Sequence, residues 1–131
     1  MDEWRAKIRC YVSPAGNNKV ADWYGELSSQ EKADADEFLK AMRKTREWAM
    51  PNYRPRLKNG EGLGELRWVS EKQQQRLLGF FNGGYWYALV GCTHKQQVYS
   101  PTDALETAKR AKKDIEKQIK EQKLRAVDYD L

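Results

Sequence analysis

Leu63-Gly64-Glu65-Leu66-Arg67-Trp68-Val69-Ser70, then Gln75-Arg76-Leu77-Leu78-Gly79-Phe80-Phe81-Asn82, then Tyr85-Trp86-Tyr87-Ala88-Leu89-Val90-Gly91-Cys92-Thr93-His94 read as three strands in succession. Each run is rich in aromatic and aliphatic residues, too short for a packed helix, and bounded by turn-forming residues. Asn82-Gly83-Gly84 supplies the tight turn between the last two. The three therefore form an antiparallel meander, and the rest of the chain is read around it.

Upstream, Arg46 to Gly62 carries Pro51 and Pro55, which suit neither a helix interior nor a central strand, so it reads as a loop. Before it, Ser28 with Glu31 three residues on forms a capping box for a helix carrying Ala35, Phe38, Leu39 and Met42 and reaching about Thr45. A shorter helix with Val20, Trp23, Tyr24 and Leu27 on one face precedes it, after the turn-rich Ser13 to Asn18. At the start, Ala6, Ile8, Cys10 and Val12 alternate with Arg5, Lys7, Arg9 and Tyr11, the period of a half-exposed strand.

Downstream, Ser100-Pro101-Thr102-Asp103 reads as a helix start, with Ser100 as cap and Pro101 at the first helical position. The helix presents one narrow apolar stripe, Ala104, Leu105, Ala108, Ala111, Ile115 and Ile119, which covers a sheet face. Residues 124–131 alternate weakly and read as either a strand or a loose tail. The resulting expectation is an α+β fold of order β-α-α-β-β-β-α, helices on a small twisted antiparallel sheet, with one domain over 1–123 and a C-terminal tail over 124–131.

With 131 residues, 40% hydrophobic, five Trp, seven Tyr and three Phe, the chain has material for one core. No stretch approaches the roughly 18 apolar residues of a membrane span, and Met1-Asp2-Glu3-Trp4-Arg5 lacks a signal-peptide core. A cytoplasmic protein with no membrane partner is expected. Cys10 and Cys92 read as reduced core residues rather than a disulfide, and a single histidine, His94, argues against a zinc site. No cofactor or metal is expected.

The 24 Lys and Arg outnumber 19 Asp and Glu, for a net charge of +5. Lys40 to Arg76 alone holds ten basic residues against four acidic ones. Such concentration suits an anionic ligand, although a solvated charged face explains it too. Strand alternation puts Glu65 and Arg67 on one face of their strand, Arg76 on a face of the next, and His94 at the end of the third, so that the three basic groups can converge. An arginine buried without a partner is expensive, and Glu65 or Glu71 is the structural partner available. Trp68, Tyr85, Trp86 and Tyr87 offer surfaces for base stacking, with core packing the cheaper explanation.

Gly62-Leu63-Gly64-Glu65-Leu66-Arg67-Trp68, Gln75-Arg76-Leu77-Leu78-Gly79-Phe80-Phe81 and Thr93-His94-Lys95-Gln96-Gln97-Val98-Tyr99-Ser100-Pro101 resemble the successive strands and final linker of the RelE/HigB toxin superfamily, most closely its phage-derived HigB-like branch. The likeness covers about residues 20 to 115 in matching order. It implies a RelE-like fold and the toxin of a type II toxin–antitoxin system, encoded by a bacterium, phage or prophage. The implied activity is metal-independent, ribosome-dependent cleavage of mRNA, with a cognate antitoxin, the ribosome and mRNA as partners.

By the same resemblance Arg67 and Arg76 hold the scissile phosphate. His94 and Lys95 match the basic position at the end of the last strand, and Tyr99 a tyrosine that orients or transfers a proton. The basic loop adds Arg54, Arg56 and Lys58 as phosphate contacts. His94 suits proton transfer because an imidazole titrates near neutrality. Relatives usually carry two lysines where this chain has His94-Lys95, which leaves the general base open. On these expectations Arg76→Ala abolishes cleavage with little loss of stability. The alternative is the same scaffold without cleavage, a ParE-like gyrase inhibitor or a phage protein that binds a host factor; a third reading is an RNA-binding sheet protein without toxicity.

Overall fold

A computed structural model of the chain describes residues 7–96 and 98–128. In order along the chain these residues form β1 (Lys7–Cys10), α1 (Lys19–Gly25), α2 (Ser29–Arg43), β2 (Tyr53–Arg54), β3 (Gly64–Ser70), β4 (Gln73–Asn82), β5 (Tyr85–Lys95), β6 (Val98–Ser100), α3 (Ala104–Lys120) and β7 (Val127–Asp128).

The strands make one seven-stranded sheet in the order β2-β3-β4-β5-β1-β7, with β6 also paired to β5. β1 runs parallel to β5, Lys7 opposite Tyr85 and Cys10 opposite Ala88, while the other pairings are antiparallel. This corrects the expected fold class. The sheet is mixed and strand-rich, in place of a small antiparallel sheet in β-α-α-β-β-β-α order. The three additional strands are two or three residues long, too short to show a period, and pairing with longer neighbours fixes them rather than their own pattern.

The loop from Arg46 to Gly62 contains β2, whose Tyr53 and Arg54 pair with Leu66 and Glu65. Ser100 does not cap a helix: it closes β6 opposite Thr93, and α3 begins only at Ala104, with Asp103 at its N-cap and no side-chain cap bond. Pro101 accordingly lies outside the helix. In the tail, buried Gln118 accepts a hydrogen bond from the Arg125 backbone N–H at 2.9 Å and brings Val127 opposite Cys10 and Asp128 opposite Arg9. Arg5 and Ala6, read as the start of the first strand, and Tyr129 to Leu131 lie outside the described residues.

The β4–β5 turn and the cap of α2 match the sequence reading. Gly83 and Gly84 have φ of 57° and 84° in the β4–β5 turn, the left-handed pair that a two-residue hairpin needs. Ser28 Oγ accepts from Glu31 N at 3.1 Å while Glu31 Oε1 accepts from Ser28 N at 2.9 Å, closing the capping box of α2.

Both sheet faces are covered. Leu66, Trp68, Leu77 and Trp86 pack with Val20, Ala35, Leu39 and Met42 of α1 and α2. Leu63, Leu78, Phe80 and Val90 pack with Ala104, Ala108, Ala111 and Ile115 of α3. The small residues on the α3 stripe let its backbone approach the sheet. Gly91 has a similar role on the opposite face, where a Cβ would fall inside the Trp23 indole. Cys10 and Cys92 are free and buried, and burial pushes both thiols up to about 12. Trp68, Trp86 and Tyr87 are core residues, so they are not base-stacking surfaces. Half-buried Tyr85 carries the Arg9 guanidinium 3.7 Å above its ring.

Candidate functional site

Cross-strand register builds the site. Arg67 of β3 lies opposite Arg76 of β4, Arg76 opposite Cys92 of β5, and Gln74 opposite His94, which in turn faces Tyr99 of β6. Directly opposed residues share a face, as do residues two apart on a strand. Glu65, Arg67, Gln74, Arg76, Cys92, His94 and Tyr99 therefore occupy one region of the α3 face, beyond the N-terminal end of that helix. Arg54 joins them from β2 because it pairs with Glu65.

Two arginines directly opposite each other would repel, and Glu65 is what holds them. Its carboxylate, 3% exposed, lies with Oε1 3.1 Å from Arg67 Nε and 3.6 Å from Arg76 Nε. Tyr99 donates to its Oε2 at 2.5 Å. Arg76, 4% exposed, also donates to Gln75 O at 2.9 Å and Gln74 Oε1 at 2.8 Å. Arg67 is more open, its side chain 23% exposed, with Nη1 donating to Met50 Sδ at 3.4 Å. Neither Nε–H is aligned on an acceptor, although both lie against the carboxylate. The contact with Glu65 is thus ionic rather than a directed fork–fork pair, and donor capacity is left over.

The field of the cluster sets its protonation states. His94 is held below its usual value, first by partial burial and then by Arg76, with Arg67 and Arg54 adding to the effect and Glu65 opposing it. At neutral pH the imidazole is therefore a free base, able to accept a proton. Tyr99 is pushed up by burial and by its bond to the Glu65 carboxylate, so it keeps its proton. Burial pulls Arg76 down from its ordinary value, with Glu65 opposing, but a guanidinium remains charged. The His94 and Tyr99 rings lie 5.2 Å apart between centroids, tilted by 57°.

The amino-acid profile of the phage-derived Gp49-like family (DUF891) matches residues 25–113, which includes every member of this cluster. The chain belongs to the Gp49-like family. It is a phage-derived family of RelE/toxin-like kind, which is consistent with a toxin of toxin–antitoxin type. Comparison with curated proteins and with solved structures found no match.

In this Gp49-like chain the structure brings together five of the residues singled out from sequence: Arg54, Arg67, Arg76, His94 and Tyr99. Lys95 is not among them. It pairs with Val98 and so lies on the opposite face from His94 and Tyr99, exposed. Arg56 and Lys58 are exposed in the β2–β3 connection and make no ion pair or hydrogen bond among the described residues. Arg76 is also placed differently from expectation, enclosed behind Glu65 instead of facing outward as a phosphate ligand.

From sequence, Glu65 has only the part of a structural partner, and Gln74 no part at all. The available signal for Gln74 is its i−2 spacing to Arg76, which places both side chains on one face. Among the described residues no group of three or more His, Cys, Asp and Glu is placed to hold a metal ion. No described helix is long and apolar enough to cross a membrane.

Proposed function

We propose that this Gp49-like protein is the toxin of a type II toxin–antitoxin pair of the HigB-like kind, and that it cleaves mRNA on the ribosome. The observation that carries this reading is the charged nest around Glu65. Two guanidinium groups are fixed beside each other by one carboxylate, Arg67 staying partly open, and a neutral imidazole stands at the rim within their field.

In the proposed reaction His94 removes the proton of a ribose 2′-hydroxyl, whose oxygen attacks the adjacent phosphorus. The P–O5′ bond breaks as the O2′–P bond forms, giving a 2′,3′-cyclic phosphate and a 5′-hydroxyl end. Arg67, the more open arginine, stabilises the charge that develops on the phosphoryl oxygens, and Arg54 extends the positive surface along the strand. Arg76 and Tyr99 act as positioning residues: both grip Glu65, which fixes Arg67 in turn. The proton gained by the 5′-oxygen comes from the imidazolium or from water. A cognate antitoxin protein, the ribosome and mRNA are the partners of this reading.

The test is primer extension on a defined message bound to purified ribosomes, with wild type, Arg67→Ala and His94→Gln. Cleavage by the wild type that requires ribosomes and drops by about a hundredfold or more in each variant is expected, the scale of one electrostatic or acid–base contribution. A message left intact by the wild type, with growth still arrested on expression, would move the assignment to the non-catalytic reading with gyrase or another host protein as target.

A further inference from the structure

At the edge of β5, between the helices of the two sheet faces, a second polar region has a different charge and no part in the proposed cleavage. A cavity of about 620 Å³ opens between α1, the start of α2, the β5 edge and the start of α3. Asp22, Glu26, Glu31 and Asp103 line it, against one basic residue, Lys19. An acidic hollow stands out in a chain whose net charge is +5. Among the described residues Asp22, Glu26 and Asp103 have no ion-pair partner.

Charge alone would not make a site, but Gln75 supplies a separate indication. Its side chain, in the cavity wall, is 1% exposed. Its Nε2 donates to Glu31 Oε2 at 2.9 Å, and Glu31 Oε1 is already engaged by the Ser28 backbone N–H. That bond fixes the orientation of the amide, because only the nitrogen end can face a carboxylate. Gln75 Oε1 is then a buried acceptor with no donor, an arrangement that leaves a desolvated carbonyl uncompensated. What is missing is a hydrogen-bond donor, and the surrounding carboxylates favour a positive one.

We infer that this cavity binds an alkylguanidinium group, its N–H donors shared between Gln75 Oε1 and the carboxylates of Asp22, Glu26 and Asp103. Trp23 favours a planar cation over an ammonium. Its half-buried indole, backed by Gly91 and by the edge of Trp68 at 6.0 Å between centroids, forms one wall against which a guanidinium can lie flat. Separated acceptors also suit a five-donor fork better than a point charge. The group can belong to a free guanidine such as agmatine or to an arginine side chain of a polypeptide. Among the described residues, no strand pairs with Leu89–Cys92 on the side of β5 where β1 and β6 pair.

The test is an NMR titration of the full chain, ¹⁵N-labelled, following the Gln75 side-chain amide and the Trp23 indole N–H. The probes are agmatine and a capped Gly-Arg-Gly peptide, with the citrulline and lysine counterparts of the peptide as controls. Saturable shifts of both reporters with a guanidine probe, absent with citrulline and weaker with lysine, are expected. Combining Glu26→Gln with Asp103→Asn, both at exposed positions, is expected to weaken binding by about tenfold, or about 1.4 kcal/mol, and Gln75→Leu to weaken it with Trp23 as the reporter. Tighter binding of the peptide identifies a polypeptide source, and tighter binding of agmatine a free guanidine. No saturable shift with either guanidine, equal binding of citrulline or lysine peptide, or affinity unchanged in the surface double variant would overturn the assignment.

Discussion

Gln75 and Arg76 are adjacent in β4, equally buried, and belong to regions of opposite character. Arg76 faces a positive cluster organised around one carboxylate, where Glu65 contacts two arginines and a tyrosine. Gln75 faces an acidic hollow where one amide meets one carboxylate and keeps a lone pair unspent. A step of one residue changes the face on which a strand side chain lies, so Arg76 enters the cluster on the α3 face while Gln75 lines the cavity that opens at the β5 edge.

The largest effect that would undo this contrast is at Glu65. Glu65→Ala leaves Arg67 and Arg76 opposed and buried without a counter-charge, and should lower stability in urea unfolding by about 3–5 kcal/mol. A loss under about 1 kcal/mol would show that the carboxylate does not organise the cluster. Next comes Arg76→Ala, at about 3 kcal/mol, since it removes one partner of a buried ionic contact. This corrects the sequence-based expectation of little loss, which treated Arg76 as an outward anion ligand. Arg67→Ala separates fold from chemistry: with a partly solvated side chain it should lose about 1 kcal/mol or less while still removing cleavage.

On the opposite face, Gln75→Leu should change stability by no more than about 1 kcal/mol. It deletes a hydrogen bond to half-exposed Glu31 but also removes the undonated carbonyl, and the two contributions oppose. A loss as large as that of Arg76→Ala would erase the difference between the faces.

The smallest effect is in pH dependence. His94 is lowered in the folded state from 6.5 first by its partial burial and then by Arg76, with Arg67 and Arg54 adding, the Glu65 carboxylate opposing and the Tyr99 ring packed alongside. A lowered folded value means that the neutral form is favoured by folding. Its stabilising contribution is present above the unfolded value and is lost as pH falls through the folded one. Wild type should therefore lose more stability than His94→Gln between pH 7.5 and pH 5, with the carboxylate titrations common to both. Identical losses would mean that neither burial nor the neighbouring arginines disfavour the charged form of His94.

Much of the arrangement is legible in the sequence because long elements carry strong periods. Alternation in β3, β4 and β5 is enough to bring Arg67, Arg76 and His94 to a common region, and Ser28 with Glu31 locates the start of α2. What is not legible is set by tertiary contact. β2, β6 and β7 are too short to show a pattern, and the pairing of Ser100 with Thr93 takes the residue that otherwise reads as a helix cap. The parallel pairing of β1 with β5 is a non-local choice that β1's own alternation cannot express. Depth is hidden as well. An arginine in a strand reads alike whether it faces solvent or a buried carboxylate, so the positioning role of Arg76 and the central place of Glu65 emerge only from the packing.

That the cluster on the α3 face is a site of RNA cleavage can be decided by mapping mRNA 5′ ends in cells. The variants to set beside wild type are Arg67→Ala, His94→Gln and Ser28→Ala, the last removing only the α2 cap on the opposite face at about 1 kcal/mol of stability. New ends at fixed positions within translated codons are predicted for wild type and Ser28→Ala and should be missing in the two cluster variants. Growth arrest with intact messages, or the same ends in Arg67→Ala and His94→Gln as in wild type, would contradict it.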